Sequence, residues 1–102
     1  MFTIVRVRPL EIMPYAQAKV RIYENGSAVL VSYATEVAKI DEDGWVRVRG
    51  LYSRTTIRHI SAFAREYRSN YYAFKKCYTD NLAYNIYSGT FVSLKTGEIV
   101  EG

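Results

Sequence analysis

The first half of this 102-residue chain alternates branched aliphatic residues with arginine or lysine. The alternation occurs at residues 3–8 (TIVRVR), 19–23 (KVRIY) and 45–49 (WVRVR). Successive side chains of a β-strand point to opposite faces of a sheet, so a repeat of two residues is typical of a strand with one buried face. We therefore predict half-buried antiparallel strands whose second face is cationic. That cationic face would carry Arg6, Arg8, Lys19, Arg21, Lys39, Arg47 and Arg49.

An Asn-Gly dipeptide at residues 25–26 predicts the first hairpin. A two-residue turn of type I′ favours this dipeptide, because both of its central residues have a positive φ. Such a turn would pair Ile22 with Val29 and Val20 with Val31, which places four aliphatic side chains on one face of the sheet.

An acidic segment that ends in glycine, at residues 41–44, predicts the second hairpin. A two-residue turn here would set Ile40 opposite Arg47, whereas a three-residue loop sets Ile40 opposite Val46. We favour the three-residue loop, with its glycine in the left-handed position of a G1 bulge.

Residues 50–68 (GLYSRTTIRHISAFAREYR) combine a turn with an amphipathic helix, which we place at about residues 54–68 with Ser53 as the N-cap. At about 100° per residue, four arginines lie within roughly 80° of one another, and apolar side chains fill the adjacent sector. The arginines, termed the arginine stripe below, are Arg54, Arg58, Arg65 and Arg68. The apolar residues are Ile57, Ile60, Phe63, Ala64 and Tyr67.

The remaining segments complete a single α+β domain over residues 1–102. Residues 71–78 (YYAFKKCY) fit a short second helix or a strand, and we favour the helix. The tail fits two or three short strands, at residues 82–87, 90–94 and 98–100. The predicted fold is an antiparallel sheet of about five to seven strands packed on one amphipathic helix.

Charge and cysteine content indicate the cellular compartment and the class of binding partner. A net charge of +4 and a pI near 9.3 favour anionic partners such as nucleic acid, nucleoprotein or an acidic protein surface. The single cysteine excludes an intramolecular disulfide and fits a reducing compartment. Charged residues interrupt the amino terminus, and no run reaches the ~20 apolar residues that span a bilayer. We therefore expect a cytoplasmic protein with no membrane partner.

Residues with catalytic or metal-binding chemistry are sparse. His59 is the only histidine, which excludes a histidine-rich metal centre, and we expect it to pack or to cap. Cys77 fits a half-buried structural thiol. The carboxylates at residues 41–43 fit a solvated hairpin tip, and the glycines do not form a phosphate-binding loop. We expect no enzyme activity and no cofactor or metal.

Binding chemistry is concentrated around the arginine stripe. The planar guanidinium of arginine recognises phosphate or carboxylate through two hydrogen bonds, and tyrosine offers a flat surface with a polar tip. The alternative is a solvated helix face whose arginines lie over the sheet edge. The candidate residues for partner or nucleic-acid binding are Arg47, Arg49, Tyr52, Arg54, Arg58, Arg65, Arg68, Tyr71 and Tyr72.

Two motifs resemble a family of small proteins encoded by bacteriophages and prophages of Gram-positive hosts. SYATEVAKI at residues 32–40 follows the pattern S-Y-x-T-x-V-A-x-I, and YSRTTIRHISAF at residues 52–63 follows Y-S-x-T-T-x-x-H-I-x-x-F. The resemblance implies a phage or mobile-element origin, the cytoplasm of a bacterial host and a non-enzymatic accessory role. The serine and threonine residues of the second motif would hold the helix start through hydrogen bonds, so part of the signature would encode fold.

Three binding functions are compatible with these features. The first is a phage accessory protein that binds and inhibits or modulates a host nucleoprotein machine, most concretely an anti-CRISPR protein that blocks an effector. The second is direct RNA or DNA binding through the arginine stripe and exposed tyrosines. The third is a structural or replication-associated phage protein that assembles with itself. The sequence leaves the oligomeric state open.

Overall fold

The computed structural model describes residues 2–50 and 53–101, which form one antiparallel sheet with two helices packed on one of its faces. The strands of these residues are β1 (Ile4–Pro9), β2 (Ala18–Tyr23), β3 (Ala28–Ser32), β4 (Thr35–Ile40), β5 (Trp45–Val48), β6 (Leu82–Asn85), β7 (Phe91–Ser93) and β8 (Ile99–Glu101). Between β5 and β6 lie the helices α1 (Arg54–Glu66) and α2 (Tyr71–Thr79). The strands lie across the sheet in sequence order. The predicted α+β fold is confirmed, with an 8-stranded sheet instead of five to seven strands.

Side-chain caps begin both helices. The Ser53 hydroxyl oxygen accepts a hydrogen bond from the Thr56 N–H at 3.2 Å, so the predicted N-cap of α1 is confirmed. The Asn70 side chain accepts a hydrogen bond from the Ala73 N–H at 3.0 Å at the start of α2. The preference for a helix over residues 71–78 is therefore also confirmed.

A left-handed residue ends α1 earlier than predicted. The last helical residue is Glu66, not Arg68, because Arg68 has a φ of 59° and cannot continue the helix. The Ser69 N–H instead bonds to the Ala64 carbonyl at 2.9 Å, which is the hydrogen bond of a Schellman motif. Neither described helix is long and apolar enough to cross a membrane.

The core lies between the sheet and the two helices. Ile60 and Phe63 of α1 are fully buried, and the Phe63 ring meets the Phe74 ring of α2 edge to face with centroids 6.2 Å apart. Every residue of β3 is buried, because β2 and β4 flank it and α1 crosses one of its faces. Burial of side chains of this size stabilises the fold by roughly 1.5–3 kcal/mol each.

The first hairpin forms, but with a register that differs from the prediction. Its loop has three residues, 24–26, because the Asn25 side chain accepts the Ser27 N–H and the glycine at the end of the loop has a φ of 91°. The observed pairs are Ile22 with Ala28 and Val20 with Leu30, so the predicted pairs of Ile22 with Val29 and Val20 with Val31 are wrong. The Asn-Gly dipeptide therefore lies in a three-residue loop, and not in the two-residue turn in which it is most often found.

The second hairpin follows the prediction. Ile40 lies opposite Val46, and the loop of residues 42–44 ends in a glycine with a φ of 91°. The Asp41 carboxylate stabilises this loop by accepting the N–H groups of Asp43 and Trp45, each at 2.9 Å. Two of the three acidic residues at the hairpin tip are exposed, as expected for a solvated tip.

β1 differs from the prediction in its burial and in the face that its arginines occupy. Arg6 lies opposite Ile22 of β2, and Arg8 lies opposite Val20. Directly opposed side chains share a face and Val20 is a core residue, so both arginines lie on the helix side and not on the cationic face. The pairing of β1 with β2 determines which face the arginines occupy, because the alternating pattern of an edge strand is compatible with either face of the sheet. The two valines of β1 are 62% and 56% exposed, so the prediction of a half-buried strand is also wrong.

Alanine in place of Gly44 is expected to destabilise the protein more than alanine in place of Gly26. Both glycines have a φ of 91°, and a left-handed alanine costs about 1–2 kcal/mol at either position. At Gly44 the added Cβ would also lie 2.5 Å from Cδ2 of the Tyr87 ring, whereas at Gly26 it would meet nothing within 4 Å. Urea unfolding of the two variants measures the difference in the free energy of unfolding. Tyr87→Ala in the Gly44→Ala background should remove that difference, and equal costs in the two single variants would contradict the close contact.

Candidate anion-binding surfaces

A buried polar cluster joins α1 to the β3–β4 hairpin. The Ser32 hydroxyl lies 2.8 Å from Nδ1 of His59 and 3.1 Å from Oγ1 of Thr56. The Ser53 hydroxyl donates to the same Thr56 oxygen at 3.3 Å, which links the cluster to the helix cap. The ring of Tyr33 lies beside the imidazole, with centroids 5.9 Å apart. The hydrogen bonds fix the position of the first two turns of α1 against the sheet.

The Ser32–His59 pair is shielded from solvent. Ser32 is 2% exposed and His59 is 1% exposed, so a substrate cannot reach the hydroxyl. Burial lowers the pKa of His59, which keeps the imidazole neutral at physiological pH. In the described ranges, residues 2–50 and 53–101, no three His, Cys, Asp or Glu side chains are grouped as metal ligands.

An ion pair fixes the other end of α1. Glu66 Oε1 lies 2.7 Å from Nη2 of Arg8 on β1, and Glu66 Oε2 accepts the Glu11 N–H at 2.7 Å. Burial by itself would lower the pKa of Arg8, but the hydrogen bond and the negative charge of Glu66 outweigh it, and the pKa is raised. The Glu66 side chain is only 2% exposed, so removal of Arg8 would leave a buried charge without its partner. α1 is therefore anchored at both ends.

This anchoring turns the arginine stripe to the outside. Arg54, Arg58, Arg65 and Arg68 are all exposed, and Ser61 between them is half-buried. Within the described residues, no carboxylate forms an ion pair with any member of the stripe. The stripe is thus a row of positive charge on a rigid element, with its hydrogen-bond donors available to a partner.

Arg47 and Arg49 lie on a different surface from the stripe. Arg47 is directly opposite Lys39, and their neighbours in β4 and β5 point into the core, so both side chains lie on the sheet face away from the helices, termed the outer face below. Arg49 lies 3.7 Å from the Glu36 carboxylate, which also contacts Arg21 at 3.2 Å. The predicted set of arginines therefore forms two surfaces, on opposite sides of the sheet.

The two described candidate tyrosines, Tyr71 and Tyr72, are not grouped with the stripe. Tyr71 is half-buried and packs against the core. Tyr72 is 70% exposed, but it lies beside Lys76, whose ammonium is 5.9 Å from the Tyr72 ring and 4.8 Å from the Phe91 ring of β7. Tyr72 thus belongs to the β7 side of α2. Tyr52 lies outside the described residues.

The sequence did not reveal a cleft that opens on the outer face, termed the outer cleft below. β5 and β6 are paired only at Trp45 with Asn85 and at Val46 with Tyr84, and beyond this point the two strands separate. The resulting space has a volume of about 530 Å³. Its walls are Lys39, Arg47, Val48, Arg49, Cys77, Tyr78, Asn81 and Leu94. Strands that pair across more than thirty residues of sequence form it, so local sequence patterns carry no signal for it.

Cys77 lies in the floor of the outer cleft as a neutral thiol. Its Sγ donates to the Ala73 carbonyl at 3.5 Å, and the residue is buried. Burial raises the pKa of Cys77 to about 11 from an ordinary value of 9.0. The position therefore fits the structural cysteine that the sequence suggests.

A family model matches residues 10–81, which is most of the chain. The chain belongs to this family, DUF8033, a family of unknown function. The DUF8033 region includes the buried polar cluster, the arginine stripe and the three cations of the outer cleft, and it ends at Asn81 in the cleft wall. Neither curated protein sequences nor solved structures give a match to the chain.

Several residues of the two sequence motifs contact one another in the fold. Ser32 and Thr35 close the β3–β4 hairpin, in which Tyr33 has a left-handed φ of 57°. Ser53 caps α1, and Thr56 bonds to Ser32 across the interface. The serines, threonines and histidine of the two motifs thus hold the helix on the hairpin, and the arginines between them face outward.

The free energy of unfolding is expected to fall as the pH drops below about 6.5, in part because of His59. The unfolded imidazole takes up a proton near its ordinary pKa of 6.5, whereas the folded state, with its lowered pKa, resists protonation. Acid therefore favours the unfolded state. Urea unfolding between pH 7 and pH 5 should give a shallower pH dependence for His59→Gln than for the native protein. Identical slopes for the two proteins would show that protonation of His59 does not contribute to the loss of stability in acid.

Alkylation of Cys77 is expected to be at least about 100-fold slower in the folded protein than in urea at pH 8. The thiolate is the reactive species, and a rise of about two pKa units lowers its population by roughly this factor. Reaction with iodoacetamide followed by mass spectrometry measures both rates, and no other cysteine competes. Comparable rates would mean that the outer cleft exposes a reactive thiol.

Proposed function

We propose that this protein is a non-enzymatic binding protein whose arginine stripe holds an anionic surface of a host nucleoprotein. The observation that supports this function is the row of four exposed arginines, none of which is paired with a described carboxylate. Each guanidinium presents a planar set of donors to phosphate or carboxylate.

The anchoring of α1 favours binding through the stripe. The buried polar cluster holds the start of the helix, and the Arg8–Glu66 ion pair holds its end. A partner would therefore meet arginines on a backbone that is already ordered, so binding would cost less conformational entropy than binding through a loop. Complementary charge would also raise the association rate at low salt.

The most concrete version of this function is an anti-CRISPR protein of a bacteriophage, acting in the cytoplasm of the bacterial host. The resemblance of the two motifs to small phage and prophage proteins supports this version. A domain of 102 residues with a cationic helix can inhibit an effector by covering its acidic surface or its guide-RNA backbone.

Direct RNA or DNA binding is the second candidate function, and the outer cleft favours it. Three cations line the cleft, and none of its described walls is acidic. A phosphate backbone could then be bound without a protein partner. Self-assembly is a third candidate, favoured by the exposed valines of the edge strand β1.

Charge reversal in the stripe tests the proposed function. A tagged Arg58→Glu/Arg65→Glu variant is expected to recover at least tenfold less partner from a bacterial host lysate than the native protein, because two guanidinium contacts become repulsive. Lys75→Glu/Lys95→Glu is the matched control, since it changes the net charge equally at exposed positions outside the stripe. Circular dichroism confirms that each variant is folded. Equal losses in the two variants would mean that net charge, and not the stripe, governs binding.

Two further readouts separate the versions of this function. Capture that survives nuclease treatment indicates a protein target, whereas capture that nuclease abolishes indicates nucleic acid. For the anti-CRISPR version, production of the protein in a CRISPR-immune host should restore phage plating, and the stripe variant should not. Absence of rescue across several effector types would reject that version.

A further inference from the structure

We propose that the outer cleft binds a phosphate of a single-stranded nucleic acid whose backbone lies along the outer face of the sheet. The proposal rests on the proposed function only in that the partner contains nucleic acid. It concerns the surface opposite the arginine stripe, so variants can test the two surfaces separately.

A row of side chains leads across the outer face to the cleft. Arg21 of β2 lies opposite Val29 of β3, which lies opposite Lys39 of β4, which lies opposite Arg47 of β5. Neighbouring strands are about 4.8 Å apart, so the row extends about 14 Å from β2 to β5. This length accommodates successive phosphates of one extended strand of nucleic acid.

The cleft end of the row has a charge that the protein itself does not neutralise. Lys39 and Arg47 are exposed and directly opposed, and like charges in this arrangement destabilise a sheet. Among the described residues, neither forms an ion pair, whereas Glu36 contacts both Arg21 and Arg49. A bound phosphate between Lys39 and Arg47 would convert repulsion into two attractive contacts.

The two residues at the floor of the cleft, Cys77 and Val48, carry no negative charge that would repel an anion. Cys77 remains a neutral thiol because burial raises its pKa, and Val48 beside it is apolar. Asn81 contributes to the wall, and its backbone carbonyl accepts the Leu94 N–H at 3.2 Å. That hydrogen bond holds the two sides of the wall together and gives the cleft a defined shape.

The size and walls of the cleft favour one nucleotide of a single strand over a duplex. A volume of about 530 Å³ lies within the range of sites for small ligands, about 300–1,000 Å³. The backbone of a duplex is convex and too wide to enter such a space. Tyr78 is 48% exposed in the wall and offers a ring on which a base could stack, which is a recurrent device of single-strand binding.

Fluorescence anisotropy with a labelled 12-nucleotide oligodeoxythymidine tests the proposal. Lys39→Gln/Arg47→Gln is expected to weaken binding at least tenfold, and to reduce the slope of log K against log salt by about 0.7, since the neutralisation of one phosphate is lost. The matched control is Arg6→Gln/Lys75→Gln, which removes the same charge at exposed positions outside both the cleft and the stripe and should weaken binding less than threefold. Equal weakening by the two variants, or no binding by the native protein, would overturn the proposal.

Thermal unfolding separates loss of binding from loss of fold. Because the like-charged pair is removed, Lys39→Gln/Arg47→Gln is expected to raise the Tm of the free protein by about 2–4 °C while it weakens binding. A lower Tm would contradict the like-charge repulsion on which the proposal depends.

Inorganic pyrophosphate distinguishes a nucleic acid from a free phosphate as the ligand. Tyr78→Ala is expected to weaken oligonucleotide binding several-fold and to leave the affinity for pyrophosphate, measured by calorimetric titration, unchanged, since only a base can stack on the ring. Pyrophosphate binding without oligonucleotide binding would overturn the assignment of a nucleic-acid strand. The stripe variant in the lysate experiment bears on the proposed function alone, so the two proposals can fail independently.

Discussion

The position of α1 depends on a buried hydrogen-bonded cluster of Ser32, Thr56 and His59. Polar groups taken out of water cost about 1–3 kcal/mol each when they lack a partner, so this interface tolerates few alternative placements of the helix. The apolar contacts of Phe63 supply more of the stability, but they are less directional. The cluster therefore provides specificity: it determines which side of the helix is buried, and with it which arginines face outward.

The hairpin loops impose the second constraint, since they decide which charges share a face. A change of one residue in register moves a strand's side chains to the other side of the sheet. In the second hairpin the three-residue loop brings Lys39 opposite Arg47, which creates a like-charged pair on the outer face. In β1 the pairing with β2 places Arg8 on the helix side, where it neutralises Glu66. The same residue type is thus structural in one strand and available for binding in another.

Two cationic surfaces on opposite sides of one small sheet fit a protein that binds an extended or composite partner. The arginine stripe is convex and rigid, whereas the outer cleft is concave and sized for a single group. A nucleoprotein offers both an acidic surface and exposed phosphates, so the two surfaces need not compete for the same contact. Membership in DUF8033 covers both surfaces but assigns no activity to either.

Local sequence patterns specify the α+β class, the Ser53 cap, the loop of the second hairpin and the amphipathic pattern of α1, because each follows from the periodicity or the capping and turn residues of single segments. The tertiary structure alone decided the face of Arg8 and the existence of the outer cleft. The first depends on the register between β1 and β2, and the second on where β5 and β6 stop pairing. The loop of the first hairpin is intermediate. An Asn-Gly pair fits both a two-residue and a three-residue loop, and the hydrogen bond between Asn25 and Ser27, together with the packing of Ala28 and Leu30, selects the longer one. Local periodicity specifies which residues share one face of a strand or helix. Pairing between distant segments specifies which other residues that face contacts.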